Sequence, residues 1–104
     1  MAAAVPVTGQ NDNYTAAGLM GPTIGFMDLT PTGNCTITGV TAGVDGQILI
    51  ITNLAAAVTV TILALNAGSS AANQFRLVGG GVILNQYDAA TFKYSVTIGK
   101  WVSL

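Results

Sequence analysis

The residues that could perform acid–base or metal chemistry are few and scattered in this sequence. It contains no His and no Glu, and its acids are Asp12, Asp28, Asp45 and Asp88. Asp45 and Asp88 each lie in a predicted turn, where an Asp side chain typically bonds its own backbone. A glycosidase-like pair needs a second carboxyl group nearby with a raised pKa, and no local segment supplies one. We therefore expect no catalytic residues and no enzymatic activity.

The remaining candidate motifs are fragments. The segment Asn11-Asp12-Asn13 lacks the later Gly and Glu of a calcium loop. The run Gly79-Gly80-Gly81 lacks the Lys of a phosphate-binding loop and is typical of a tight turn. Cys35, the one cysteine, excludes an intrachain disulfide and is interpreted as a small buried hydrophobe. We expect no metal and no cofactor.

The elements that position these residues are predicted to be strands. Ten Val, eight Ile and thirteen Thr make 31 of the 104 residues β-branched, whereas Gln, Lys and Arg together number only seven. The sequence therefore predicts an all-β chain. Ile48 to Leu65 is long and apolar, but Thr alternates with Val and Ile in its second half, which favours two strands over a membrane span.

The shortage of charge bears on partners. Only 7% of residues are charged and the net charge is −1, too few cations to neutralise a run of nucleic-acid phosphates. Soluble surfaces usually carry about 25–35% charged residues. One explanation is that part of the apolar surface is an obligate subunit interface. The alternative is a monomer coated with Thr, Asn and Gly.

The chain divides into an extended N-terminal arm, residues 1–22, and a β-sandwich domain, residues 23–104. The sandwich is predicted to be jelly-roll-like with about eight short strands. Residues 10–13 are predicted to be a turn or coil, and the arm to order mainly against a neighbouring chain. In the segment Thr91 to Ile98 the residues Phe92, Tyr94, Val96 and Ile98 are predicted to face inward. The predicted strands are 23–29, 35–40, 47–53, 58–65, 73–78, 82–84, 91–98 and 100–104.

The order of motifs in the second half resembles a known class of proteins. Asp45-Gly46-Gln47 precedes the segment ILIITN, a Val-Thr-Val-Thr-Ile strand follows, and then Asn73-Gln74-Phe75-Arg76. A Gly-rich turn leads to Val82-Ile83-Leu84, and the chain ends with Phe92-Lys93-Tyr94 and Lys100-Trp101. Over about Val44 to Leu104, this is similar to the small β-domains of tailed-bacteriophage virion proteins. The chain lacks the heptads or collagen-like triplets of fibre stalks, so it resembles a capsid decoration (cement) protein more than a fibre.

The resemblance implies a structural protein on the capsid surface of the virion, made in the host cytoplasm. Its implied partners are further copies of itself in a homotrimer and the major capsid protein, with neither nucleic acid nor membrane. The alternative is a fibre or spike domain that binds a host-surface glycan through exposed Tyr and Asn side chains.

Two sets of residues are predicted to make these contacts. The arm is expected to lie along the capsid or an adjoining protomer, and the apolar faces of the domain are expected to meet other subunits. The predicted capsid contacts are Val5, Val7, Tyr14, Leu19 and Met20. The predicted subunit interface consists of Ile48, Ile50, Val58, Val60, Ile62, Arg76, Trp101 and Leu104.

Overall fold

The computed structural model describes residues 4–5, 9–14, 24–77 and 79–104, with the backbone alone for residues 4 and 5. These residues form ten β-strands in two sheets, and a short 3₁₀ turn at Ala71–Asn73, without an α-helix. The predicted all-β class is therefore confirmed. The strands are β1 Ala4–Val5, β2 Gly9–Asn11, β3 Ile24–Leu29, β4 Cys35–Ile37, β5 Ile48–Asn53, β6 Val60–Leu63, β7 Phe75–Arg76, β8 Gly81–Leu84, β9 Ala89–Ser95 and β10 Lys100–Ser103.

The first six strands alternate between the two sheets. β1, β3 and β5 lie side by side in a six-stranded sheet, and β2, β4 and β6 in a four-stranded sheet. All these neighbours pair in parallel. Ile24 pairs with Ile48, 24 positions later, and Cys35 pairs with Val60, 25 positions later. The chain therefore winds in coils of about 25 residues, like a short β-solenoid.

The last strands close one side of this winding. β8 pairs antiparallel with β6 and β9 pairs antiparallel with β5, so both sheets end their parallel series there. β10 then pairs antiparallel with β9, and β7 lies parallel beside β10 at the sheet edge. The prediction of a jelly-roll-like sandwich is corrected by this topology, because a jelly roll is built from antiparallel Greek keys. Apolar alternation predicts a strand but does not specify the direction of its neighbour.

The core lies between the two sheets. Alternate residues point inward, as in β5, where Leu49, Ile51 and Asn53 are buried. Two aromatic pairs fill one end: the ring centroids of Phe75 and Phe92 are 4.7 Å apart, and those of Tyr94 and Trp101 are 5.0 Å apart. The buried apolar residues are Met27, Leu29, Cys35, Ile37, Val40, Leu49, Ile51, Val60, Ile62, Phe75, Leu84, Phe92, Tyr94 and Trp101.

The eight predicted strands are present, most of them shorter than predicted. The inward stripe is confirmed for Phe92 and Tyr94, but β9 ends at Ser95, so Val96 and Ile98 are exposed in the following turn. The Val96 amide donates to Asp45 Oδ1 at 2.9 Å, which holds this turn against the Asp45-Gly46 turn. Within the arm, Gln10 and Asn11 are not the predicted turn or coil, because Gly9–Asn11 is a strand paired with β4 of the same chain.

Candidate interaction surface

The outward residues of the six-stranded sheet form one continuous surface, which we call the outer face. Along β3, β5 and β9 the exposed or half-buried residues alternate with core residues. The register aligns these outward residues in rows across the strands. The outer face consists of Ile24, Phe26, Asp28, Ile48, Ile50, Thr52, Ala89, Thr91, Lys93, Ser95, Lys100, Val102 and Arg76.

The β3–β5 half of the outer face is apolar. Ile24 pairs with Ile48, and Phe26 pairs with Ile50, so four large side chains form a compact block. Ile24 is 45% exposed and Phe26 is 36% exposed, while Ile48 and Ile50 are half-buried. Contiguous apolar surface of this kind is a feature of protein-binding sites.

The β9–β10–β7 half of the outer face is basic. Lys93 pairs with Val102, and Val102 pairs with Arg76, so the two cations lie in one row with a valine between them. Asp28 lies on β3, beyond the apolar block. The face therefore carries a negative charge at the end of the apolar block along β3, and positive charges beside the block across the strands.

These three charged residues differ from the other four in the chain. Asp12, Asp45 and Asp88 accept side-chain hydrogen bonds from Thr38 Oγ1, the Val96 amide and the Asn85 amide, respectively. Lys100 Nζ donates to the Ala71 carbonyl at 2.8 Å and to Gln74 Oε1 at 3.2 Å. Among the described residues, the side chains of Asp28, Lys93 and Arg76 make no hydrogen bond or ion pair, and all three lie on the outer face.

The predicted subunit-interface residues fall into three groups. Ile48, Ile50 and Arg76 lie together on the outer face. Val58 is half-buried before β6, and Leu104 is 68% exposed after β10.

The third group is corrected by the structure. Val60, Ile62 and Trp101 are fully enclosed in the chain's own core. Their side chains are enclosed between the chain's own two sheets, so they cannot contact a neighbouring subunit. The alternation of apolar residues that predicts an interface here fills the core instead. Trp101 also donates its indole N–H to the Val40 carbonyl at 3.1 Å.

Of the predicted capsid contacts, Tyr14 is the one whose side chain is described. It is half-buried against the core, and its amide donates to the Gly39 carbonyl at 2.8 Å. Burial raises the pKa of the Tyr14 hydroxyl above its ordinary value, and the nearby Cys35 raises it further. The backbone of Val5 pairs in β1. Val7, Leu19, Met20 and the side chain of Val5 lie outside the described residues.

A polar network joins residues 9–14 to the loop before β7. The buried Thr38 hydroxyl lies 2.5 Å from Asp12 Oδ1 and 2.7 Å from Ser69 Oγ. The Asn13 amide donates to Ser69 Oγ at 2.8 Å, and Asn73 Nδ2 donates to Asn13 Oδ1 at 2.9 Å. Ser69 has no imidazole or amine to activate it in this network. These contacts hold three segments of the chain together.

The other candidates are the Cys35 thiol, a metal site and a surface groove. Burial raises the pKa of the Cys35 thiol, which favours the unreactive protonated form. No group of three metal-ligating side chains occurs within the part of the chain that the structure describes. A groove of about 420 Å³ between β8, β9 and the C-terminus is lined by Leu77, Gly81, Val82, Ala89, Ala90, Thr91, Phe92, Ser103 and Leu104, and none of these side chains is titratable.

Sequence reasoning missed several residues that organise the structure. Phe26, Asp28 and Lys93 lie on the outer face but are not among the predicted contact residues. The alternation in Ile24–Leu29 indicates that Ile24, Phe26 and Asp28 share a face. The sequence predicts Asn53 only as the last residue of a strand, whereas it is fully buried and donates to the carbonyls of Val58 and Leu84.

Comparison of the chain with protein-family models, curated proteins and solved structures returns no significant match.

Proposed function

We propose that this chain is a non-enzymatic structural protein of a tailed-bacteriophage virion, a capsid decoration protein that oligomerises on the head and stabilises the capsid lattice. The motif order described above supports this class of protein. The implied oligomer is a trimer, and the implied second partner is the major capsid protein.

The observation that carries the proposal is the outer face. It combines an apolar block with three charged side chains that have no partner among the described residues, as expected of a surface that completes its contacts with another protein. A standard interface buries about 800 Å² per partner. This is about a sixth of the 5117 Å² surface of the described chain.

Burial of such a surface supplies enough free energy for assembly. At about 25 cal/mol per Å², an interface of about 1,600 Å² that is about 60% apolar contributes roughly 24 kcal/mol before the costs of association. These costs are on the order of 4–15 kcal/mol for lost rotation and translation, with further costs for ordering side chains. A protein with few charges can therefore assemble mainly through apolar contacts.

Immunogold electron microscopy of intact virions of the phage that encodes the chain tests the proposal. We expect antibodies against the purified protein to label the head surface at many sites, and virions that lack the gene to lose the label and release DNA at lower temperature. Label confined to the tail, or no label on intact particles, would contradict a decoration role.

Tyr87 favours a second candidate function, a fibre or spike domain that binds a glycan. Tyr87 is 73% exposed in the Asn85–Asp88 turn, where its φ is 68°. Exposed aromatic rings stack on sugars, and neighbouring amides bond to hydroxyls. Glycan-array binding that is lost in Tyr87→Ala and retained in Tyr87→Phe would support this function, and absence of binding by the unmodified protein would exclude it for the glycans tested.

A further inference from the structure

We propose that the outer face binds the same face of a second copy of this chain, about a two-fold axis that passes beside Ile50. This inference rests on the proposed assembly role and names its surface and partner, and it predicts a two-fold dimer through the outer face in place of the trimer that the resemblance implies.

The charges have the arrangement that a two-fold contact requires. Asp28 on β3 and Lys93 on β9 lie at opposite corners of a patch three strands wide, because Ile24 and Ile48 lie in the row of Lys93. With strands about 4.8 Å apart and about 3.4 Å per residue, the two Cα positions are separated by about 10 Å across the strands and 14 Å along them. That separation is too large for Asp28 and Lys93 to contact each other within one chain, and neither side chain has a partner among the described residues.

A two-fold axis that lies between the two packed faces, parallel to the sheet and perpendicular in projection to the line from Asp28 to Lys93, exchanges these two corners. If it bisects the line from Asp28 to Lys93, then Asp28 faces Lys93 of the second copy, and Lys93 faces Asp28 of that copy. An isologous interface pairs residues reciprocally in this way. One acid and one base at opposite corners thus form two equivalent ion pairs, whereas two like charges in these positions would repel.

The same axis places apolar residues against apolar residues. The midpoint between Asp28 and Lys93 is the outward position of β5 occupied by Ile50, which therefore meets its own copy. Phe26 is carried to a position beside Ile48 of the second copy. The large apolar side chains thus form the centre of the contact and the charged ones its rim, the usual arrangement in protein interfaces. Arg76 lies farther out in the row of Lys93 and extends the positive rim.

Sedimentation equilibrium of the purified full chain between about 1 and 100 µM tests the inference without any capsid. We expect a concentration-dependent mass that approaches two chains of 10.5 kDa. Asp28→Lys and Lys93→Asp should each raise the dissociation constant about ten-fold or more, since each change turns both ion pairs into repulsions. The double variant should return the constant close to its original value.

Substitution at the centre supplies a matched control pair. Ile50→Ser should abolish association, whereas Ile83→Ser should leave it unchanged, because Ile83 is exposed on β8 of the other sheet. The fluorescence of buried Trp101 shows whether each variant is folded. A monomer at every concentration, a mass of three chains, or a dimer that is insensitive to Asp28→Lys and Ile50→Ser would overturn the inference. A trimer would still allow the decoration role, and a confirmed two-fold dimer that never labels virions would refute only that role.

Discussion

Gly39 is a position where the structure leaves little room for a side chain. It is buried beside the network of Thr38 and Ser69, and its carbonyl accepts the Tyr14 amide. A Cβ at this position would lie 2.5 Å from Ser69 Oγ and 2.7 Å from the Asn73 carbonyl oxygen. Ordinary contacts begin near 3.4 Å, so Gly39→Ala requires both groups to move.

The cost of this movement can be worked out from the contacts that it disturbs. Overpacking of this kind costs about 1–3 kcal/mol. Ser69 Oγ bonds to the Thr38 hydroxyl and the Asn13 amide, and the Asn73 carbonyl accepts the Val40 amide at 2.9 Å. Weakening these bonds adds about 1 kcal/mol each at most. We expect Gly39→Ala to lower the free energy of unfolding by about 3 kcal/mol.

Urea denaturation followed by the fluorescence of Trp101, the single tryptophan, measures this loss. With a slope of about 1.5 kcal/mol per M, the midpoint should fall by about 2 M. Gly33→Ala is the matched control, because nothing lies within 4 Å of its added Cβ and Gly33 does not have a positive φ. A midpoint for Gly39→Ala within 0.3 M of the unmodified protein, or an equal fall for Gly33→Ala, would refute the packing argument.

Three further predictions concern buried polar groups. Asn53→Ala removes hydrogen bonds to two carbonyls and one amide, and it should lower the free energy of unfolding in urea by about 3 kcal/mol. Asn85→Ala, in an exposed turn, should lower it by less than about 0.5 kcal/mol. Equal losses would contradict a structural role for the buried Asn53 amide. Thr38→Val removes the hydroxyl that bonds to Asp12 and Ser69, so hydrogen exchange should become faster at the nearby Tyr14 amide and stay unchanged in β5. A uniform increase in exchange would indicate global destabilisation instead. Burial raises the folded-state pKa of Cys35 above its ordinary value of 9.0, so the unfolded chain loses this proton first and stability should fall as the pH rises above about 9. The fall should be shallower in Cys35→Ala, and identical pH profiles would count against the assignment.

Local features of this chain could be predicted because their causes are local. The alternation that places Phe92 and Tyr94 inward needs only the two-residue period of a strand. The Asp45-Gly46 turn is confirmed, with Gly46 at a φ of 83° that favours glycine. The Asn85–Asp88 turn is also confirmed, with the Asp88 amide bonded to the Asn85 carbonyl. In each case the residue type and its immediate neighbours carry the information.

The candidate surface could be predicted only in part. Ile48 and Ile50 were placed in an interface because the segment ILIITN is apolar on both sides, and they do lie on the outer face. The same reasoning placed Trp101 in that interface, although it is fully buried. Composition indicates that apolar surface is in excess, but it does not indicate which apolar residues the chain covers itself.

The pairing of strands depends on residues that are far apart in the sequence. The parallel neighbours Ile24 and Ile48, and Cys35 and Val60, are separated by a whole coil. The similarity of Cys35-Thr36-Ile37 and Val60-Thr61-Ile62 is a weak repeat signal that could have suggested stacked coils. An antiparallel jelly roll would accept the same alternation, so the pattern alone did not distinguish the two.

The sequence by itself determined that the chain is all-β, where its main turns lie, and that charge is scarce. The tertiary structure decided which strands pair, which apolar residues fill the core, and that Asp28, Lys93 and Arg76 share one face. The physical reason is the separation along the sequence over which each effect acts. Strand and turn preferences arise within a few residues, whereas burial and pairing depend on which distant segments come together when the two sheets close over the core.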